Sequence, residues 1–419
     1  MSESDRLQGK FVAIIGGCGH VGLPLGVKLA LAGASTRLVD INQDAVDSVN
    51  AGRFPFLEKG GDDQLRRALA RGLKAAAGPE AAGAADVLIF VTGTPVDEHL
   101  NPKLSEVLRI FELYEPFLGP GKLVVMRSTL FPGTMEHLHE RLTRSHPGVR
   151  IAFCPERVAQ GFALDEIETL PQIVSAFDDE SFKAAAELFG ALAPAIVKLT
   201  PLEAELTKLM ANSWRYLEFS IANQFYLICE SRGVSFQRVY KAIRHEYPRA
   251  AGYKAPGFAA GPCLFKDTMQ LASYFDNRFY LGHAAMLVNE GLATFVAERV
   301  KEKLGGSLWG RTVGLLGMSF KAENDDVRDS LSFKVRKLLE FAGAHVLCAD
   351  PYLDWTMPLS AVLQEAEALV LATPHREYRG LQIKVPVVDV WGIYEETELE
   401  VFRTEAGSEV DAARHGSLG

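Results

Sequence analysis

The segment from Phe11 to Asp40 constrains the chain more than any other, because it places a strand, a glycine turn, a helix and a second strand in one short unit. Residues 11–15 (FVAII) are a continuous apolar run of the kind buried on both faces of a parallel sheet. The turn that follows reads Gly17-Cys18-Gly19-His20-Val21-Gly22, the G-x-G-x-x-G spacing. LPLGVKLALAG then reads as a helix and STRLVD as a strand ending on Asp40. In such a unit the first glycine permits a tight turn, the second lets the backbone approach a pyrophosphate, and the third lets helix and strand pack closely. The helix N-terminus adds amides and its dipole. Asp40 can accept from both ribose hydroxyls and repel a 2′-phosphate, which selects NAD over NADP. A bare tight turn and a helix-capping acid are the plainer readings, but they do not require strand, spacing and acid together.

Further apolar strands are predicted at 87–92 (VLIFVT), 122–128 (KLVVMRS) and 150–154 (RIAFC), with helical segments between them, so the first half reads as a parallel sheet covered by helices. After Pro201 a stretch reaching Gly233 holds apolar residues at helical spacing without an internal proline or glycine, as a domain-joining or interface helix does. A second strand-turn-helix begins at TVGLLGMSF (312–320), followed by strands at 368–373 and 385–391. Its Gly314 and Gly317 do not complete the glycine fingerprint, so no second dinucleotide is read there. The fold class is therefore α/β, with two Rossmann-like doubly wound domains joined by a long central helix and helical segment. The expected divisions are 1–200, 201–303 and 304–419, and the polar tail after about Glu395 is expected to be loosely ordered.

With 53 acidic and 44 basic residues the net charge is -9, so nothing in the overall field favours nucleic acid or an anionic membrane. The polar N-terminus shows neither signal peptide nor membrane span. Five scattered cysteines without metal-ligand spacing fit a reducing compartment, and the cytoplasm is the expected location.

Ordered segments along nearly the whole chain, IIGGCGHVGLPL, VTGTPVD, MRSTLFPGT, CPERVAQG, EAELTKLMANSWR, GFAAGPCLFKDT, LGMSFKAENDDVRDS and ADPY, resemble the UDP-glucose/GDP-mannose dehydrogenase family. The resemblance implies an NAD domain, a central helical segment that forms a homodimer, and a UDP-sugar-binding domain, with reaction at the seam. It implies that Cys263 is the nucleophile, followed by Lys266 and Asp267 in the family's pattern. Oxidising an alcohol to an acid takes two steps, and a thiol keeps the aldehyde bound between them. Lys208 and Asn212, at i and i+4 on the long helix, match the residues that polarise the reacting oxygen. Thr129 matches the threonine that places a water, and Asp267 would act on that water as general base.

Glu156 in CPER matches the first of two family glutamates, whereas the second falls on Gln160, which cannot take a proton. Lys321 resembles the lysine that meets the substrate, and Arg328 the arginine that reaches NAD across the seam. Thr94, Thr129 and Lys266, with His20 and Val21 of the glycine turn, complete the expected cofactor contacts. Arg249 corresponds to an arginine lent by the neighbouring subunit. Gly257 and Gly261 fall in the substrate loop, where missing side chains would let backbone amides approach the sugar.

Two loops point to different sugars. The Cys-x-x-Lys-Asp pattern resembles the branch acting on UDP-glucose, and CPERV with a following glycine the branch acting on UDP-N-acetylhexosamines. UDP-glucose is the narrow first expectation, with UDP-N-acetylglucosamine or UDP-N-acetylmannosamine next. A single-step hydroxyacid dehydrogenase would need neither Cys263 nor the last α/β domain. A non-catalytic NAD-binding scaffold would be expected to lack Cys263, Lys208 or Asp267.

Overall fold

The structure, a computed structural model, describes residues 6–93, 104–395 and 398–400. Thr94 and most of the tail expected to be loosely ordered lie outside these residues. Strands β1 (Phe11–Ile15), β2 (Ser35–Val39), β3 (Lys74–Ala76), β4 (Val87–Phe90), β5 (Leu123–Met126), β6 (Arg150–Phe153), β7 (Gln172–Ala176) and β8 (Ile196–Leu199) form one sheet. Their order is β3-β2-β1-β4-β5-β6-β7-β8. Val12 and Ile14 enter one hydrophobic core while Ala13 and Ile15 enter another, so β1 is apolar throughout because helices cover both faces.

The sheet is not wholly parallel, as the sequence led us to expect. β7 runs antiparallel to β6, and β8 then pairs parallel with β7. Neither outer strand is a long apolar run. In β8 Val197 is 41% exposed beside the exposed Lys198, so the edge carries no continuous hydrophobic signal.

The second sheet holds β9 (Thr312–Leu316), β10 (His345–Ala349), β11 (Ala368–Leu371) and β12 (Val387–Asp389), all parallel, in the order β10-β9-β11-β12. Both sheets reverse their winding beside the first strand, between β1 and β4 and between β9 and β11. Crevices open at such points over the carboxyl ends of the strands.

Between the sheets runs the helix Pro201–Glu230, started by proline at its first turn and by a reciprocal capping box of Thr200 and Glu203. At 30 residues it spans about 45 Å. The helices Leu264–Tyr274 and Tyr280–Lys303 pack against it. Val296 and Val300 of the latter share a core with Val313 and Leu315 of β9, which fastens the helical segment to the second sheet.

Candidate active site

The glycine turn leaves β1 with the positive φ on Gly16 (+77°), not on Gly17 as its motif position suggested. Gly17 answers to packing instead, because a Cβ there would meet the carbonyl oxygen of Ile14 at 2.6 Å. Gly22 is similarly confined, 2.7 Å from the backbone of Gly16 and Gly17. Gly19 faces open space, its nearest neighbour a carbonyl at 3.7 Å, and this is where a pyrophosphate needs room. The first two turns of helix Gly22–Leu31 are buried behind the glycine turn. Asp40 closes the crevice and accepts from the amides of Cys18 (3.0 Å) and Asn42 (3.1 Å). Each of its oxygens keeps a lone pair for a ribose hydroxyl. These residues fit an NAD adenosine half in shape and donor chemistry.

Cys263 sits at the start of helix Leu264–Tyr274, one turn before Asp267, whose amide donates to its carbonyl at 2.9 Å. Asp267 is fully buried, yet Asn212 of the long helix donates to it at 2.6 Å, and Thr129, on the loop after β5, lies close enough to favour its charged form. The Lys266 ammonium lies 3.9 Å from the other carboxylate oxygen. Burial raises the Asp267 carboxyl above its ordinary range, while Lys266 and Lys208 pull the other way. The Cys263 thiol is also raised, first by the surrounding protein and then by the Asp267 charge, with Lys208, Lys266 and Arg328 opposing. The resting thiol is therefore protonated near neutrality, and the helix N-terminus and three cations stand ready for the charge that develops when it attacks.

Glu156 is more confined than a general base can be. Its carboxylate forms a buried ion pair with Arg127 and accepts from the amides of Arg157 (2.6 Å) and Val158 (2.9 Å). With both oxygens engaged, one by Arg127 and the other by two amides, Glu156 is held in place and fixes its loop. Arg127, which the sequence did not single out, is 1% exposed and also donates to the Cys154 carbonyl and Gln172.

Gly257 and Gly261 each have a packing reason to lack a side chain. The absent Cβ of Gly257 (φ +154°) makes room for Trp391, and its amide donates to Asn223 at 2.8 Å. That of Gly261 (φ +101°) makes room for Phe320, and its amide donates to the Asp329 carbonyl. Both glycines serve ring packing, and neither amide is free for a sugar.

Lys321 and Arg328 stand on the loop after β9. Lys321 donates to the Gln160 carbonyl, and burial, with the Arg215 charge second, lowers its ammonium below the usual range. Arg328 clasps Asp326 through Nε and a terminal nitrogen. The loop is pinned by buried His375, whose Nδ1 accepts the Glu323 amide at 3.0 Å. That leaves the proton on Nε2, 3.2 Å from both Asp350 and Ser319. His20 of the glycine turn packs at a tilt against Phe56 and reaches within 3.8 Å of Asp326. Val21 is half-buried at the start of helix Gly22–Leu31. Arg249 is exposed and contacts Tyr247.

A buried carboxylate missed from sequence, Glu205, accepts from the amides of Gly133 (2.7 Å) and Met135 (2.8 Å) and ties the loop carrying Thr129 to the helix carrying Lys208. Its spacing, one turn before Lys208, was the available signal.

The chain matches the NAD binding domain of the UDP-glucose/GDP-mannose dehydrogenase family over residues 10–193, its central domain over 202–290 and its UDP binding domain over 314–396. A UDP-N-acetyl-D-mannosamine dehydrogenase of Methanocaldococcus jannaschii is 30% identical over 89% of this chain and 87% of its own. A UDP-glucose dehydrogenase structure from Pyrobaculum islandicum superposes with TM-score 0.84 at 28% identity, covering 92% of this chain and 94% of that one. The structure of a UDP-D-ManNAc dehydrogenase from Pyrococcus horikoshii gives 0.86 at 26%, covering 94% and 98%.

Proposed function

Since the chain belongs to the UDP-glucose/GDP-mannose dehydrogenase family and is an NAD-dependent nucleotide-sugar dehydrogenase, we propose that it oxidises the C6 alcohol of a UDP-linked N-acetylhexosamine to the carboxylate through Cys263. The observation that carries the reading is the meeting of an accessible Cys263 with buried Asp267, Asn212, Thr129 and the charge of Lys208. The glycine turn and Asp40, with Arg328 from the other domain, would hold NAD, which would supply a two-electron acceptor for each of two oxidations.

Lys208 and Asn212 orient the C6 oxygen and stabilise its negative charge. The Cys263 sulfur bonds to the aldehyde carbon and its proton passes to the carbonyl oxygen, giving a thiohemiacetal. A second oxidation makes this a thioester. Asp267 then takes a proton from a water placed by Thr129, the water oxygen bonds to C6, and the carbon-sulfur bond breaks, the leaving sulfur taking that proton from Asp267 to return the thiol. The raised carboxyl of Asp267 suits it to hold that proton. Burial lowers the Lys321 ammonium below its usual range, and an arriving diphosphate would pull it back up.

Two supports move the first choice of sugar from UDP-glucose to UDP-N-acetylmannosamine: the CPERV loop, and the UDP-N-acetyl-D-mannosamine dehydrogenases among the relatives. The Cys-x-x-Lys-Asp pattern keeps UDP-glucose as the second reading. A pocket that pairs an acetamido group loses heavily with an analogue lacking it, because a buried polar group is left unsatisfied. Competition between the two sugars, read as the ratio of kcat/KM, tests the choice. A ratio favouring UDP-glucose reverses it.

We further infer a homodimer built on the long helix. Met210, Trp214, Ile221, Phe225 and Ile228 form a stripe on that helix, each between 44% and 61% exposed in the single chain. No helix among the described residues is long and apolar enough to cross a membrane, so a second copy is the occupant that suits an apolar stripe of this length.

A further inference from the structure

We propose that Gln160 is a positioning residue: with Asp326 it forms a charge-matched latch across the domain seam that aims Arg328 at the reaction centre. The proposal rests on the placing of that centre at Cys263. With its amide nitrogen set toward Asp326 (3.2 Å) and its oxygen toward Arg328 (3.1 Å), Gln160 satisfies both members of the Asp326–Arg328 pair at once. Its own carbonyl meanwhile accepts from Lys321. Gln160 belongs to the first domain, whereas Lys321, Asp326 and Arg328 stand on the loop after β9 in the second. Asp325 of the same loop accepts the Leu57 amide at 3.1 Å, a further bond across the seam.

Charge explains why a glutamine serves here. Asp326 is 7% exposed, and among the described residues one guanidinium, that of Arg328, neutralises its carboxylate. Arg328 in turn lies close enough to Cys263 for their charges to interact. A glutamate at position 160 would set a second carboxylate oxygen 3.2 Å from Asp326, with Arg328 left to neutralise both. His20, 3.8 Å from Asp326, supplies no second cation, because burial and the Arg328 charge hold it neutral. The departure from the family pattern at Gln160 thus does more than remove a proton acceptor. It makes closure of the seam compatible with a buried Asp326.

The test compares Gln160→Glu with the double variant Gln160→Glu/Asp326→Asn, which moves the single negative charge to the other side of the seam. Small-angle scattering of the ligand-free full chain reads closure without reference to activity, and thermal unfolding confirms that each variant is folded. We expect Gln160→Glu to enlarge the radius of gyration and raise the KM for NAD by about tenfold, with kcat changed less. The double variant should recover both to within about threefold. An unchanged radius and KM in Gln160→Glu, or a double variant no better than the single, overturns the latch. Failure of the sugar-oxidation reading would instead appear as inactive wild-type protein with the scattering difference intact.

Discussion

Cys263 and Asp267 are one helical turn apart, yet the structure gives them opposite surroundings, one open to solvent and the other fully buried. On the proposed mechanism Cys263→Ser retains binding of both NAD and sugar nucleotide but releases no uronic acid, because serine is a far poorer nucleophile at neutral pH. Product analysis beside equilibrium binding checks this, and acid released at the wild-type rate would remove the thiol from the pathway. Asp267→Asn should lower kcat by ~10²–10⁴, the usual worth of a positioned base, and single-turnover measurement should place the loss in thioester cleavage. Glu205 offers a test in stability. Its carboxyl is pushed up from 4.5 to about 7, burial being the main cause. A group raised in the folded state contributes stability that is whole below pH 4.5 and lost as pH rises through 7. The shift corresponds to on the order of 3 kcal/mol, and Glu205→Gln removes the dependence. The difference in unfolding free energy between wild type and variant should therefore move in the variant's favour from pH 5 to pH 8, and parallel curves would refute it. Cys263, Asp267 and Asn212 were legible because their spacing matches a known pattern. Arg127 was not, since its partner Glu156 lies far along the chain, and Glu205 left only its spacing from Lys208 as a trace, its amide partners at Gly133 and Met135 being distant.

At the level of elements, β1 and its glycine turn were readable because burial on both faces leaves an unbroken apolar run. The half-exposed β8 and the antiparallel β7 leave no such trace. The turn also holds a residue outside the G-x-G-x-x-G pattern, Gly16, which carries the left-handed backbone. Asp40 remains where the pattern puts it. Asp40→Ala should narrow the preference for NAD over NADP by on the order of tenfold, the factor that 1.4 kcal/mol carries. Steady-state kcat/KM for both cofactors is the check, and equal values in the unmodified protein would defeat the assignment. The long helix is the other element whose sequence spoke plainly, through its spacing and freedom from glycine and proline. Its exposed stripe predicts that Trp214→Glu, which sets a charge where an aromatic anchor is expected, shifts the chain toward monomer. Light scattering coupled to size exclusion reads the outcome, and an unaltered mass would move the interface elsewhere.

Across the whole molecule, the two sheets are joined by helices that pack into the second core, so the loop after β9 meets the carboxyl edge of the first sheet at a defined seam. Sequence order alone brought Lys321 and Arg328 to the argument as a resemblance. The structure supplies their bonds to Gln160 and Asp326. It also gives Gly257 and Gly261 a packing reason for lacking a side chain, since Trp391 and Phe320 fill that space, residues far along the chain that no local pattern could pair with them. A two-stage oxidation on a single thiol is measured directly by its stoichiometry. Purified chain with limiting UDP-N-acetylmannosamine and excess NAD should form two NADH for each sugar consumed, with the uronic acid as product and no free aldehyde. One NADH per sugar with aldehyde released would contradict it.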